Sequence, residues 1–335
     1  MSEAEQGAAR NDPWIYVTLF LFYFCNYFVI VFFNTALVAS TMNIMEDGKG
    51  RVGFGLSFAV RRIHSILGWA LVSAVVVAVA GARLSGAALA FAALSFAAIQ
   101  VASYRGVSLP PAGAAAVDMR VLFFNVSGRN SGSGDRIVAA AIETGADIVV
   151  FAEAGPVVPS MERLLAAYEF VSPCSLDECE LLVATNIDVI RFWRLQLNPA
   201  WPARYAVLEI AGPDGEPVFV AASHLLKPWM SGLAESEIAR LAAQYDWLQG
   251  PVLAVGDFNM PPWSLPMRRL LERTGFRATR GQPATWPAWA GPGLPIDQVL
   301  VHDGARVVRV SGFGAGLGSN HLGIVADVSL PRAPD

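Results

Sequence analysis

The stretch PVLAVGDFN, residues 251–259, decides the fold expected for the C-terminal part of this chain. Its apolar and small residues, 251–256, form a short run typical of a buried strand, and polar residues Asp257 and Asn259 follow at once. Because functional residues are often built at the ends of rigid sheet strands, this pattern indicates a site on a sheet rim.

The same arrangement recurs along residues 118–335, where apolar runs alternate with turns rich in glycine, proline and polar residues. Each polar strand-end residue alone has an ordinary explanation, since such residues often cap turns and a single His is commonly a core residue. Their recurrence predicts convergence on one rim. They are Asn125 after VLFF, Glu153 after IVVFA, His224 after VFVAAS, Asp297 before QVLV, and Asn320 and His321 before LGIVADV.

Three segments between these runs predict helices: 135–146, 231–249 and 264–275, the last ending at Gly275. Strands interspersed with a few helices favour a layered α/β domain, with sheets inside and helices outside.

The residue types suit phosphate chemistry. A hard cation such as Mg²⁺ prefers oxygen ligands, so Glu153 is the first candidate ligand, with Asn125 beside it. Asp257 is suited to accept a proton from an attacking water, and Asn259 to orient that water or to donate to a phosphoryl oxygen. The sequence lacks Cys/His zinc spacing, a phosphate-binding P-loop and a G-x-S-x-G motif.

The two histidines complete the predicted site. Pairing with Asp297 would hold His321 in one tautomer and stabilise its imidazolium, which could balance the charge that builds on a pentavalent phosphorane. His224 is assigned to phosphate contact or to the role of a second acid.

The ordered set of FFNV, FAEA, ASHL, GDFN, PIDQV and SNH resembles the endonuclease/exonuclease/phosphatase superfamily over residues 118–332. The resemblance implies a four-layer α/β sandwich of two mixed β-sheets flanked by helices, Mg²⁺ or Mn²⁺ as cofactor, and the site roles given above. The segments GDFNMPPWS and ATWPAW are similar to bacterial members with an N-terminal membrane anchor. Trp263 and Trp286, with Trp289, would line the cleft, or would serve only in packing.

One position departs from this family's pattern. The family usually has S-D-H where this chain has Ser319, Asn320 and His321. The resemblance places Asn320 near the metal, where the amide keeps one oxygen but loses the negative charge, and fewer charged ligands imply weaker metal binding. Two interpretations stay open: a tolerated change in an active enzyme, or a domain that binds a phosphorylated ligand and turns it over poorly.

The N-terminal third predicts an integral membrane protein. After a tail of residues 1–12, the region 13–104 contains three long apolar runs (13–45, 65–82 and 84–104), which predict about three transmembrane helices. Part of this region resembles a hairpin from a family of uncharacterised bacterial multi-span membrane proteins, a match that implies no activity. The expected localisation is the bacterial plasma membrane. Residues 105–117 form a Pro/Ala/Gly-rich linker to the catalytic domain at 118–332.

Two signals disagree on the side of the membrane. Lys49, Arg51, Arg61 and Arg62 follow the first run, so the positive-inside rule and three spans place the catalytic domain in the cytoplasm. The close spacing of Cys174 and Cys179 suits a disulfide and an oxidising compartment, although free thiols are the alternative. Anchored relatives also favour the exoplasmic side, which is the interpretation adopted.

Charge bears on the substrate. Residues 118–335 carry 17 Lys/Arg against 23 Asp/Glu, with a single lysine, which disfavours a polyanion such as duplex DNA. The sequence therefore predicts a membrane-anchored, metal-dependent phosphoesterase for a lipid or small-molecule phosphodiester. A metal-dependent endonuclease or exonuclease, or a catalytically weak phospho-ligand-binding membrane protein, is the alternative. No protein partner can be inferred.

Overall fold

The computed structural model describes residues 13–47, 52–81, 94–95, 98–99, 101–102, 104–175, 179–199, 201, 203–230, 232–289 and 293–332. The chain divides into two compact units, Met1–Ala97 and Ala98–Asp335.

The described part of the first unit is helical. Its helices are α1 (Pro13–Asp47), α2 (Val52–Arg61) and α3 (Ile63–Gly81). Within α1, Phe20–Ser40 spans 21 residues with a mean hydropathy of 1.8, which is long and apolar enough to cross a membrane. A break bent by 72° separates α2 from α3, and the two together could form a second span. The predicted third span, 84–104, lies largely outside the described residues, so three spans stay a prediction.

The second unit contains two mixed β-sheets. The first has seven strands in the order β1-β10-β11-β9-β8-β7-β6, and the second has six in the order β12-β13-β2-β3-β5-β4. The strands are β1 (Ser108–Leu109), β2 (Met119–Asn125), β3 (Ile148–Ala152), β4 (Phe170–Val171), β5 (Leu181–Thr185), β6 (Val189–Leu195), β7 (Tyr205–Ala211), β8 (Pro217–His224), β9 (Val252–Asp257), β10 (Arg277–Thr279), β11 (Asp297–His302), β12 (Arg306–Phe313) and β13 (Gly323–Ser329).

Helices cover the outer face of each sheet. They are α4 (Gly134–Glu143), the 3₁₀ helix Gly155–Ser160, α5 (Met161–Ala167), α6 (Leu233–Tyr245) and α7 (Leu265–Thr274). The last ends at Gly275, whose φ of 75° is the left-handed geometry that glycine adopts without strain. This agrees with the stop predicted there.

Successive side chains of the central strands point to opposite faces of the sheet, and this alternation explains the layers. Val121 and Phe123 of β2 point between the sheets, where they join the core shared with β7, β8 and β9. Their neighbours Leu122 and Phe124 point the other way and pack with α4 and α5. A third core lies between the first sheet and α6 and α7. The predicted four-layer sandwich of two mixed sheets flanked by helices is therefore confirmed.

The segment predicted as a linker contributes to the second unit. Ser108 and Leu109 form β1, which pairs in parallel with Ala278 and Thr279 of β10. Arg280 strengthens this edge, because its guanidinium donates to the Ser108 carbonyl. Residues 105–117 thus include an edge strand, while the predicted domain limits stay predictions.

Candidate active site

Strand register brings the polar strand-end residues together. In the second sheet the parallel strands β2 and β3 end in register, with Asn125 opposite Ala152, so Glu153 follows directly. In the first sheet the parallel strands β8 and β9 end with His224 opposite Asp257. Because β11 runs antiparallel to β9 and begins opposite Asp257, Asp297 lies at the same rim.

A glycine permits the close approach of β8 and β9 at this rim. A Cβ on Gly256 would lie 2.1 Å from the carbonyl oxygen of Ser223. Any side chain there would push the strands apart next to Asp257, which accounts for the glycine in GDFN.

Asn125 connects the two sheets at the site. Its Nδ2 donates to Asp257 Oδ2 at 3.1 Å and to Glu153 Oε1 at 3.3 Å, while its Oδ1 accepts from the Ser127 amide at 2.9 Å. Glu153 Oε2 accepts from the Gly128 amide at 2.7 Å. The amide of Asn125 therefore separates two carboxylates that would otherwise repel each other.

The backbone at the rim is unusual. Glu153, Asn259 and Ser127 have φ of 49°, 53° and 65°, respectively, a left-handed geometry that non-glycine residues adopt rarely. Such conformations persist where surrounding contacts hold them, and they cluster at functional sites.

His321 and Asp297 form a buried pair. His321 Nδ1 lies 2.9 and 3.1 Å from the two oxygens of Asp297, and its Nε2 lies 3.8 Å from Asp257 Oδ2. Ser319 orients the preceding loop, because its hydroxyl donates to the Asn125 carbonyl and accepts from the His321 amide. Thr285 supports the partner, since its hydroxyl accepts from the Asp297 amide at 3.1 Å.

The surroundings keep His321 cationic. Burial opposes the charged ring, but Asp297 and then Asp257 and Glu153 outweigh it, raising the pKa of His321 from 6.5 to about 9. Burial and the neighbouring Asp257 raise the pKa of Asp297 to about 6, against the opposing pull of His321. At neutral pH the pair is therefore an imidazolium and a carboxylate.

His224 is held by a second carboxylate. Its Nδ1 bonds Glu180 Oε1, and its Nε2 lies 3.6 Å from Asp257 Oδ2. Arg204 Nε lies 3.5 Å from the same Glu180 oxygen. Burial alone would raise the pKa of Glu180, but His224 and Arg204 lower it below its ordinary value. Both histidines thus present Nε2 to Asp257 while a carboxylate holds Nδ1.

Asn259 is anchored at both its backbone and its side chain. Its amide donates to Asp257 Oδ1, and its Nδ2 donates to the Leu225 carbonyl, both at 2.8 Å. The structure therefore brings Asn125, Glu153, His224, Asp257, Asn259, Asp297 and His321 together, as the sequence predicted; their roles stay predictions.

Three other candidates make their observed contacts outside this cluster. Asn320 is exposed, and its carbonyl accepts from the Ala288 amide at 2.9 Å. Trp286 is 37 % exposed in the same neighbouring segment. Trp263 packs edge-on against Tyr104, with ring centroids 5.9 Å apart, which favours the packing alternative for this residue.

The donors fit a hard divalent cation. The carboxylate of Glu153 is half-buried at the rim beside Asn125, and ligand atoms of Asp257, Asp297 and His321 lie within 4.8 Å of one another. Most of these donors are oxygens, as Mg²⁺ and Mn²⁺ prefer. Because Asp297 already engages His321 Nδ1 and Asn125 Oδ1 accepts from the Ser127 amide, we regard Glu153 as the best ligand, with Asn125 beside it.

Sequence reasoning missed the supporting residues. Glu180 precedes β5 and follows Cys179, and Arg204 precedes β7, so both occupy the strand-boundary positions that revealed the other candidates. Thr285 and Ser319 carry no comparable signal, because a hydroxyl in a loop is common.

Comparisons with known proteins agree with this geometry. A model of the endonuclease/exonuclease/phosphatase family matches residues 122–321, and a family of unknown function (DUF6159) matches residues 14–109. No curated protein sequence matches the chain.

Solved structures share the fold. An endonuclease/exonuclease/phosphatase from Beutenbergia cavernae is 20% identical, with a TM-score of 0.52 over 65% of this chain and 73% of that chain. TDP2 from D. rerio is 13% identical, with a TM-score of 0.53 over 63% of this chain and 98% of that chain. A functionally unknown conserved protein from Enterococcus faecalis is 16% identical, with a TM-score of 0.51 over 64% and 100%.

Proposed function

Because the chain belongs to the endonuclease/exonuclease/phosphatase family, we propose that it is a membrane-anchored, divalent-metal-dependent phosphoesterase that hydrolyses a phosphodiester with an activated water. The observation that carries the proposal is the placement of Asp257 Oδ2 between Asn125 Nδ2, His224 Nε2 and His321 Nε2. A carboxylate surrounded by such groups is suited to act beside a phosphate.

Asp257 is the proposed general base. Its Oδ1 is held by the Asn259 amide, so the carboxylate orientation is set before substrate binds. It takes the proton of the attacking water, while the Asn259 side chain orients that water or donates to a phosphoryl oxygen. Since Asn259 is anchored on Leu225, this donor needs no reorganisation during the reaction.

The two histidines stabilise the negative charge that develops on the phosphoryl oxygens. The imidazolium of His321 is held by Asp297 and faces the base, so it can stabilise the negative phosphorane oxygens. His224, held by Glu180, contacts the phosphate or acts as a second acid. Preorganised donors of this kind commonly contribute about 10²- to 10³-fold each to the rate.

Glu153 would hold the cation, Mg²⁺ or Mn²⁺, with Asn125 beside it. When bound, the ion supplies Lewis-acid stabilisation of phosphoryl charge. Asn320 occupies the position where the family usually has an Asp near the metal, and it brings no charge there.

A lipid or small-molecule phosphodiester is the proposed substrate class. The excess of acidic over basic residues in 118–335 opposes binding of a polyanion. The apolar helix Phe20–Ser40 favours anchoring in a lipid bilayer. Exposed Trp286 and Trp289 would contact the substrate beside the Asn320 loop. The alternative is a nuclease, favoured by the likeness to D. rerio TDP2, which was crystallised with a single-strand DNA product.

The disulfide between Cys174 and Cys179 supports an exoplasmic catalytic domain in a bacterial plasma membrane.

The test assays the full chain in detergent with bis-p-nitrophenyl phosphate, a phospholipid panel, single-stranded DNA and plasmid DNA, under Mg²⁺, Mn²⁺ or chelator. We expect metal-dependent turnover of the small diester and of a lipid, reduced about 10²- to 10⁴-fold in Asp257→Asn and His321→Ala. Faster turnover of DNA would select the nuclease alternative. If none of these substrates is hydrolysed, the result would favour the alternative of a catalytically weak phospho-ligand-binding membrane protein.

A further inference from the structure

Glu237 is a buried carboxylate that the proposed reaction does not use. It lies on α6 with 1% of its surface exposed. Its Oε2 accepts from the Leu226 amide, whereas Oε1 is buried without a hydrogen-bond partner among the described residues. Burial raises the pKa of Glu237, although the Leu226 amide, Arg204 and His224 oppose the rise. Burying a carboxylate is costly, so a compensating role is expected.

The amide that Glu237 holds belongs to a peptide group next to the site. The Leu226 N–H and the Leu225 C=O are the two ends of one planar peptide unit, so orienting one end orients the other. On the carbonyl side, Leu225 O accepts from Asn259 Nδ2 at 2.8 Å and from an Arg204 guanidinium nitrogen at 3.2 Å. The amide of Leu225 donates to the Asp257 carbonyl at 2.8 Å.

A continuous chain of hydrogen bonds therefore runs from α6 to the proposed site. It passes from the Glu237 carboxylate through the Leu225–Leu226 peptide to the Asn259 side chain. An acceptor on the N–H polarises the peptide and strengthens the bonds that its carbonyl accepts. Rotation of this peptide plane would release the Asn259 amide, the group proposed to orient water or phosphate.

We propose that Glu237 is a positioning residue, which fixes the Leu225–Leu226 peptide so that the Leu225 carbonyl holds the Asn259 side chain in its working orientation. The inference rests on the proposed function only for its consequence in catalysis. The hydrogen-bond chain itself is independent of the substrate.

The first experiment measures kinetics on the full chain in detergent with bis-p-nitrophenyl phosphate. Glu237→Leu removes the acceptor at similar volume, and we expect kcat to fall about 10-fold or more with KM within about twofold, because an Asn259-type donor is worth about 10²- to 10³-fold. Glu237→Gln retains an acceptor for the Leu226 amide and should recover most of kcat. Glu235→Gln is the matched control on the same helix, at an exposed position. It should leave kcat unchanged.

A double-mutant cycle separates positioning from general support of the fold. In an Asn259→Ala background, Glu237→Leu should have little further effect on kcat, because the peptide no longer positions the Asn259 side chain. Additive losses, or an equal loss in Glu237→Gln, would overturn the proposal. If Glu237→Leu does not fold, Glu237→Asp replaces it, since the shorter side chain withdraws the acceptor from Leu226.

A second measurement does not depend on turnover. The side-chain amide of Asn259, identified by its disappearance in Asn259→Ala, is followed by ¹⁵N NMR in the full chain. We expect faster hydrogen exchange of this amide in Glu237→Leu or Glu237→Asp than in wild type and Glu235→Gln. Unchanged exchange would overturn the positioning role. Absence of phosphoesterase activity with the expected exchange result would contradict the proposed function alone.

Discussion

At the residue scale, Asp257 organises the site. One of its oxygens accepts from the Asn259 amide, and the other faces Asn125, His224 and His321. Two of these neighbours are oriented by further carboxylates, so carboxylates alternate with amides or imidazoles outward from Asp257. This alternation explains how several acidic residues share a small volume: each is separated from the next by an amide or an imidazole.

The His321–Asp297 pair predicts a measurable titration. In metal-free protein, NMR should give His321 a pKa of about 9, and Asp297→Asn should lower it toward the ordinary value of 6.5, because the adjacent carboxylate stabilises the imidazolium. Since folding raises the pKa of His321, the stability that this histidine contributes is fully present below pH 6.5 and is lost as pH rises through about 9.

The pH dependence of the melting temperature provides a control for that titration. The melting temperature of metal-free wild type should fall more steeply between pH 7 and 9 than that of Asp297→Asn. Parallel melting curves, or an unshifted His321 resonance in the variant, would contradict the electrostatic explanation.

Asn320 predicts a change in metal requirement. Asn320→Asp restores a charge at the rim, so we expect a lower Mg²⁺ or Mn²⁺ concentration for half-maximal activity, or a higher maximal rate. Metal titrations of the two proteins with one substrate measure this. If both parameters stay unchanged while His321→Ala abolishes activity, the missing charge at Asn320 has no role.

At the element scale, an uncharged rim formed by the described residues 285–289 and 293–294 contacts the elements that carry the site. Trp286 and Leu294 form an antiparallel bridge, and Thr285 supports both Asp297 and the Leu322 amide. From 281 to 296 the sequence carries no charged side chain. This rim therefore suits an apolar part of a substrate better than a polyanion.

Trp289 tests the substrate class at this rim. It is 83% exposed, so Trp289→Ala should leave the fold intact. We expect kcat/KM for phospholipid to fall at least about threefold while hydrolysis of bis-p-nitrophenyl phosphate is unchanged, because only the larger substrate reaches the tryptophan. Trp247→Ala is the control, as Trp247 is also exposed but packs against Phe219 at the opposite end of β8 from His224. Equal effects of both variants would assign Trp289 to general stability.

At the scale of the whole molecule, a helix able to cross a membrane and an endonuclease/exonuclease/phosphatase domain occur in one chain. Cys174 and Cys179 are disulfide-bonded, whereas Cys25 is free and lies within the apolar helix. These cysteines therefore report on the compartment of the catalytic domain.

The exoplasmic placement predicts a labelling pattern. In intact cells carrying Cys25→Ser, an impermeant thiol reagent should label the chain only after an impermeant reductant opens the disulfide. A Cys25→Ser, Cys174→Ser, Cys179→Ser variant controls for background. Labelling that requires cell lysis and needs no reductant would place the domain in the cytoplasm.

The sequence patterns alone predicted a layered α/β domain and its polar strand-end residues, because alternation and strand-end polarity are local patterns that survive without coordinates. The four-layer sandwich followed from the resemblance of the ordered motifs to the endonuclease/exonuclease/phosphatase superfamily. The sequence identified Asn125, Glu153, His224, Asp257, Asn259, Asp297 and His321, which strand register then brought together. The pairing of Asp297 with His321 was predicted, but only the tertiary structure showed that Glu180 holds His224 and revealed Arg204 and Glu237. Those contacts join residues distant in sequence through hydrogen bonds across buried elements, and no local pattern encodes them. The rim asparagine, Asn320, was visible as a departure in the sequence, while its solvent exposure and its contact with the tryptophan segment came from the fold.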